Sequence, residues 1–291
     1  MASPVGSQSP VGPGPVTVNV VDHLEGRTAV VTGAGSGIGR AIGLELAGAG
    51  MHVVVADIEE EKADAVAGEI AATGVRSLAV GVDVADAGSV AALADTAFAE
   101  FGAVHLLCNN AGVLLFKGFA VSIIEDWQWV RGVNVMGVLN GVSAFLPRLL
   151  EQDDPSHIVN TSSIAALAAS DVYGTSKAAI LSLTDALAEE LADSKVGVSA
   201  LLPGVVSTQI VAAERNRPET MGRKTDEPAK AFAGQFGFDP STCATRLREG
   251  VVAGDRYIWA GVPADWDDIG AAARARLDAI LAALPEGIVE E

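Results

Sequence analysis

The sequence predicts an α/β fold: a doubly wound parallel sheet of about seven strands with helices on both faces. Two observations carry this. Seven short runs rich in β-branched residues recur along the chain: "TAVVTG", "HVVVAD", "SLAVGVDV", "HLLCNN", "HIVNTSS", "VGVSALLP" and "RYIWAG". They are continuously apolar rather than alternating, the pattern of strands covered on both faces. Between them lie alanine-rich amphipathic stretches, and strand–helix–strand repetition gives a parallel sheet wound in two directions.

Taken in order, residues 1–23 are rich in Pro, Gly and Ser, lack the basic and apolar regions of a leader, and read as a disordered arm. From residue 24 to residue 291 no break in composition divides the chain, so one domain is expected. The first strand opens into "GAGSGIG", where Gly33, Gly37 and Gly39 form G-x-x-x-G-x-G. Glycines there let the backbone turn tightly, approach a pyrophosphate, and bring the next helix close to the sheet. The positive end of that helix then faces the phosphates. The second strand ends in Asp57, about twenty residues past the loop, where a carboxylate accepts hydrogen bonds from the adenosine ribose and repels a 2′-phosphate. Ser36 and Ile58 offer no cation to such a phosphate, and Arg40 lies one turn into the helix. NAD is therefore expected over NADP.

Asp57 and Glu60 are also spaced like a capping box for the second helix. "DAGSVAALADTAFAEFG" ends in a glycine where a helix C′ residue belongs. The segment 209–238 mixes charge, proline and glycine without periodicity, which in a compact domain reads as an active-site lid or a disordered loop. Its cations are nearly offset by neighbouring acids, which favours a solvated lid over an anion site. Trp127 and Trp129, at the start of a long helix, read as packing or interface residues.

There are 37 acidic and 19 basic side chains, a net charge of −18. That opposes nucleic acid and anionic membrane surfaces as partners. No run is read as long and pure enough to span a bilayer. Two cysteines and four scattered histidines have no metal-ligand spacing, so no metal is expected, and Cys108 reads as a core residue. A cytoplasmic enzyme is the expected class.

"VYGTSKAAI" sets Tyr173 and Lys177 one turn apart on one helix face. A neighbouring cation favours the phenolate, so this tyrosine is expected to exchange protons nearer neutral pH than a free phenol.

With "TGAGSGIG", "NNAG", "VNVMG", "TSS" followed by "YGTSK", and "PGVVST" in this order, the chain resembles the short-chain dehydrogenases/reductases, from about Leu24 to the last strand. The resemblance implies a Rossmann-type sheet. It also implies that Tyr173 is the acid/base, that Lys177 lowers its pKa and holds the nicotinamide ribose, and that Asn134 holds a water in a proton relay. Ser163, rather than Ser162, is implied to orient the substrate oxygen. It stands ten residues before Tyr173, about three fewer than usual in the family, which shortens a wall of the substrate pocket. The implied cofactor site comprises Gly33, Ser36, Gly37, Ile38 and Gly39 in the loop, then Asp57, and Asp83 with Val84 beside the adenine. It continues through Asn110, Ala111 and Gly112 after the fourth strand, then Tyr173 and Lys177, and ends on Pro203, Gly204, Val206 and Thr208. Asn109, with Gly112, is implied to stand at a strand end that supports the sheet and passes the cofactor ribose, and Thr208 to meet the pyrophosphate or carboxamide side.

The implied activity is NAD-dependent interconversion of a bulky, hydrophobic or aromatic secondary alcohol and its ketone. An NADP-linked biosynthetic ketoreductase is the alternative, and Asp57 speaks against it. A non-catalytic nucleotide sensor is the other, and it has no need of Tyr173, Lys177, Asn134 and a serine together. A homo-oligomer, as tetramer or dimer, is expected because "GVNVMGVLNGVSAFL" is apolar or small nearly all round, more than one sheet can cover.

Overall fold

The structure, a computed structural model, describes residues 23–115, 117–168, 171–222, 237–261 and 264–283. The expected arm lies outside them save for its last residue, as does part of the expected lid, 223–236. All seven expected strands form: β1 Thr28–Thr32, β2 His52–Asp57, β3 Ser77–Gly81, β4 Leu106–Asn109, β5 Ser156–Thr161, β6 Val196–Pro203 and β7 Tyr257–Ala260. They make one sheet in the order β3-β2-β1-β4-β5-β6-β7, parallel at every pairing. The winding direction reverses between β1 and β4. In such a sheet ligands bind in the crevice outside the carboxyl ends of the strands at that point.

Both faces are packed, which is why the strands read as continuous apolar runs. Val31, Val53 and Val55 face Ile42 and Leu46 of α1 (Gly37–Gly48), Ile70 of α2 (Glu60–Ala71) and Leu247 of α7 (Pro240–Ala253). Val30, Val54 and Leu107 face the other way, onto Leu93 of α3 (Ala87–Phe101), Phe145 and Leu149 of α5 (Gly137–Glu151) and Leu187 of α6 (Val172–Glu190). Each such side chain taken out of water contributes about 1.5–3 kcal/mol before entropy is charged against it.

Some helix ends follow the sequence and others do not. Gly102 ends α3 at φ 81°, as expected of a C′ glycine. The capping box at Asp57 does not form, because α2 begins at Glu60 with Glu59 as its N-cap. Asp57 instead accepts from the Glu59 N–H at 2.9 Å and the Gly35 N–H at 2.8 Å, so it braces the glycine loop.

The expectation that no run could span a bilayer is corrected. Helix α4 (Ile124–Arg131), a π-helical turn over Gly132–Met136 and α5 run on as one helix of 28 residues, with mean hydropathy 1.3 in its most apolar window. The wide turn and the internal Pro147 do not interrupt it. By length and composition alone it qualifies as a span, but here it is a helix of the fold, with α4 against α6 and α5 against α3.

Candidate active site

One cleft, of about 210 Å³, lies at the strand ends where the winding reverses. Every residue expected at the cofactor site lines it, as do Ser163, Tyr173 and Lys177. Asn134 does not.

The outer part of the cleft is a backbone cradle. Gly33 and Gly37 take φ 64° and 54°, in the left-handed region that side chains disfavour. A Cβ on Gly39 would sit 2.1 Å from the Gly33 carbonyl oxygen, so only glycine lets α1 approach the loop. The Asn110 side chain clamps the same turn by donating to the Thr32 carbonyl at 3.0 Å. Ser36 precedes α1 without a side-chain cap, and the first turn of the helix holds no acid, so its N–H groups remain for an anion. Thr208 packs at the place a Gly37 side chain would enter. These groups fit a dinucleotide pyrophosphate. Asp57 and Asp83, the residues expected at the adenosine end, also line the cleft, Asp83 with its carboxylate turned onto the Ala85 N–H at 2.9 Å. Asp83 does not cap α3; Asp86 does.

The inner end is built on α6. Asp171 caps this helix by accepting from the Gly174 N–H at 3.1 Å, which places Tyr173 in the first turn despite the short segment after Ser163. That cap was legible as an Asp before an apolar run but was missed. The Ser163 hydroxyl adjoins the Tyr173 phenol, whose pKa it lowers, and it donates to the Pro203 carbonyl at 3.4 Å. The Ser162 hydroxyl is engaged elsewhere, donating to the Lys177 carbonyl at 2.8 Å. The buried Lys177 ammonium donates to the Thr161 carbonyl at 2.8 Å and stands 5.5 Å from the centre of the Tyr173 ring.

The expected pKa shift is reversed in the protein alone. Burial pushes Tyr173 up to about 12; the Ser163 hydrogen bond opposes this and the Asp171 charge adds to it. Burial also pulls Lys177 down to about 7. A dry site disfavours each charge by itself.

The Asn134 side chain is taken up by protein groups: Oδ1 accepts from the Val113 N–H at 2.8 Å, and Nδ2 donates to the Val113 carbonyl at 3.0 Å and to the Ser176 hydroxyl at 2.9 Å. It pins the strand-end segment to α6 beside Lys177. Asn109 also turns away from the cleft and bonds to Asn160 at 2.9 Å, which is the supporting half of its expected role. The lid is not simply solvated. Its described part folds over the cleft as a 3-10 segment, Gln209–Asn216, whose Ile210, Ala213 and Arg215 line the wall. Arg217 is buried against Asp126 of α4 at 2.7 Å and lies over the Trp129 ring. Removing one partner of a buried pair of this kind costs about 3–5 kcal/mol. Trp129 is thus both packing and cleft wall.

A backbone cradle leads to a half-buried tyrosine beside a buried lysine in a doubly wound sheet, the arrangement of an oxidoreductase. Residues 27–219 match the short chain dehydrogenase family model, and the chain belongs to that family. It is 43% identical over 185 residues to the probable oxidoreductase EphD of Mycobacterium tuberculosis (strain ATCC 25618 / H37Rv). The match takes in 62% of this chain but only 31% of that protein, so the chain spans about a third of that relative's length. It is 36% identical over 247 residues, 81% of this chain and 92% of the other, to a 1-deoxy-11-beta-hydroxypentalenate dehydrogenase of Streptomyces avermitilis. Among solved structures, a short chain dehydrogenase/reductase from Burkholderia phymatum in complex with NAD superposes with a TM-score of 0.82 at 37% identity, over 92% of this chain and 99% of that one.

Proposed function

We propose that the protein is an NAD-dependent dehydrogenase interconverting a bulky, hydrophobic or aromatic secondary alcohol and its ketone, with Tyr173 as acid/base. The observation that carries this reading is the convergence of the Tyr173 phenol, the Ser163 hydroxyl and the Lys177 ammonium at the inner end of a cleft whose outer end is a phosphate cradle. Bound NAD supplies the hydride acceptor and a positive charge near the reacting carbon. Tyr173 takes the alcohol proton, and the Ser163 hydroxyl steadies the oxygen as it gains negative charge. Lys177, fixed by the Thr161 carbonyl, stabilises the phenolate through its positive charge. Asn134 is a positioning residue that holds Ser176 and the Val113 segment in register around the lysine. Trp129, Val113, Ile210 and Ala213 give the wall the apolar character that a hydrophobic substrate needs.

Asp57 supports NAD over NADP, since its carboxylate lines the adenosine end. NADH formation with a panel of hydrophobic secondary alcohols tests the reading. The expected result is turnover with NAD at far higher kcat/KM than with NADP. Equal efficiency with the two cofactors would refute the cofactor assignment, and no turnover with any secondary alcohol would refute the substrate class.

We propose a homo-oligomer, a tetramer or dimer. Met136, Leu139 and Leu150 leave an exposed apolar stripe on the long helix, and Tyr257 and Trp259 of β7 and Leu277 and Ile280 of α8 (Ala264–Ala282) are exposed as well. A two-fold contact buries one patch from both subunits. Light scattering is expected to give a multiple of 29.6 kDa; a monomer at micromolar concentration would contradict it.

A further inference from the structure

The adenosine end of the cleft carries more charge than a ribose requires. Besides Asp57, Glu59 and Arg215 line it. Arg215 comes from the segment over the cleft, 156 residues further along the chain, and donates to Glu59 Oε2 from Nη2 at 2.7 Å and from Nε at 3.2 Å. Its Nη1 is anchored on the Ala212 carbonyl at 3.0 Å, so the guanidinium is held in place from its own side. The same Glu59 oxygen accepts from the Lys62 ammonium of α2 at 2.8 Å, and Asn216 adds a longer contact at 3.4 Å. The Lys62 stem lies against the glycine loop, since a Cβ on Gly35 would stand 2.9 Å from both Lys62 Cβ and Asp57 Oδ2. Two cations from different elements therefore converge on one carboxylate oxygen, beside the acid read as the ribose partner. The Arg215 hydrogen bond is the largest cause holding the Glu59 carboxyl at a pKa of about 2, so the acid is charged throughout the working pH range.

An arginine fork and a lysine ammonium meeting at one point form the donor set that binds a phosphate dianion. Here a carboxylate fills that position. Among the described residues lining the cleft, Arg215 and Lys177 are the cations, and Lys177 is at the other end.

We propose that Glu59 is a second determinant of cofactor choice: it occupies Arg215 and Lys62, which would otherwise receive a phosphate on the adenosine ribose, and so holds this end of the cleft to an unphosphorylated ribose. The inference rests on the reading of the cleft as an NAD site and extends it, because it makes a residue of the segment over the cleft part of cofactor selection. Asp57 repels the phosphate, and Glu59 withholds the groups that would attract it.

The test is the dissociation constants of NADH and NADPH, measured by fluorescence on the full chain in the wild type, in Glu59→Gln and in Glu59→Gln/Arg215→Gln. Glutamine keeps the size of the side chain while removing its charge, and an unchanged melting temperature verifies the fold. In Glu59→Gln the NADPH affinity is expected to rise about tenfold or more relative to NADH, the scale of one unit charge at a partly solvated site. Most of that gain is expected to vanish in the double variant, where the freed guanidinium is gone. A change that affects both cofactors alike would show that the pair only clasps the segment to the sheet, and would overturn the proposal. An unaltered ratio would overturn it too. A wild type that binds NADPH more tightly would overturn the underlying NAD reading instead, whatever the variants do.

Discussion

Tyr173→Phe is expected to lower turnover by about 10²–10⁴-fold while NADH binding persists, the range a positioned acid/base contributes. That corresponds to roughly 3–5 kcal/mol of lost transition-state stabilisation. The reason lies in what the substitution keeps. The ring stays in the first turn of α6, capped by Asp171, so the cleft wall and the neighbouring Lys177 have no cause to move. The Ser163 hydroxyl loses the neighbouring phenol oxygen but retains the Pro203 carbonyl, at 3.4 Å, as an acceptor. Only the proton acceptor is missing. Single-turnover rates paired with NADH titration check the prediction, and undiminished turnover would end the assignment of Tyr173.

The next largest effect separates the two serines. Ser163→Ala is expected to lower turnover by about 10²–10³-fold, the usual cost of losing one donor to a developing oxyanion. Ser162→Ala is expected to cost little in turnover and about 1 kcal/mol in stability, because its hydroxyl serves the Lys177 carbonyl rather than the cleft. Steady-state kinetics with thermal melts on both variants decide the matter. The reverse ranking would show that the shortened segment before Tyr173 moves the motif by one residue.

The sheet was legible because strands buried on both faces carry unbroken apolar runs, as "VVVA" at 53–56 does, and because glycines at 33, 37 and 39 answer steric needs that are visible in the spacing. What escaped the sequence depends on three-dimensional surroundings. Glu59 and Arg215 carry no common motif, and only the path of the segment after β6 brings them together. Arg217 reads as one cation among several in a polar stretch, yet it is fully buried on Asp126. The Tyr–Lys spacing identified the pair but not the sign of its shifts. Burial of both side chains overrides their mutual attraction, and no count of residues along a helix shows how dry a site is. The Asp57–Glu60 spacing matched a capping box, but the carboxylate found a better use on the glycine loop.

That dryness makes one measurement decisive. The chain has two tyrosines, so Tyr257→Phe leaves Tyr173 as the sole source of a tyrosinate signal in ultraviolet titration. Tyr257 donates to Asp185 at the sheet edge and does not line the cleft, so its loss leaves the site intact. Without cofactor the remaining phenol is expected to ionise at about 12, held up by burial. With saturating NAD the account predicts a fall of about 1–3 units, because a cation close to the phenol favours its charged form. Alcohol oxidation should then rise with pH along the same curve, since Tyr173 accepts a proton only when ionised. A phenol that titrates at one pH with and without bound NAD, or that ionises well away from the pH dependence of the rate, would contradict the account.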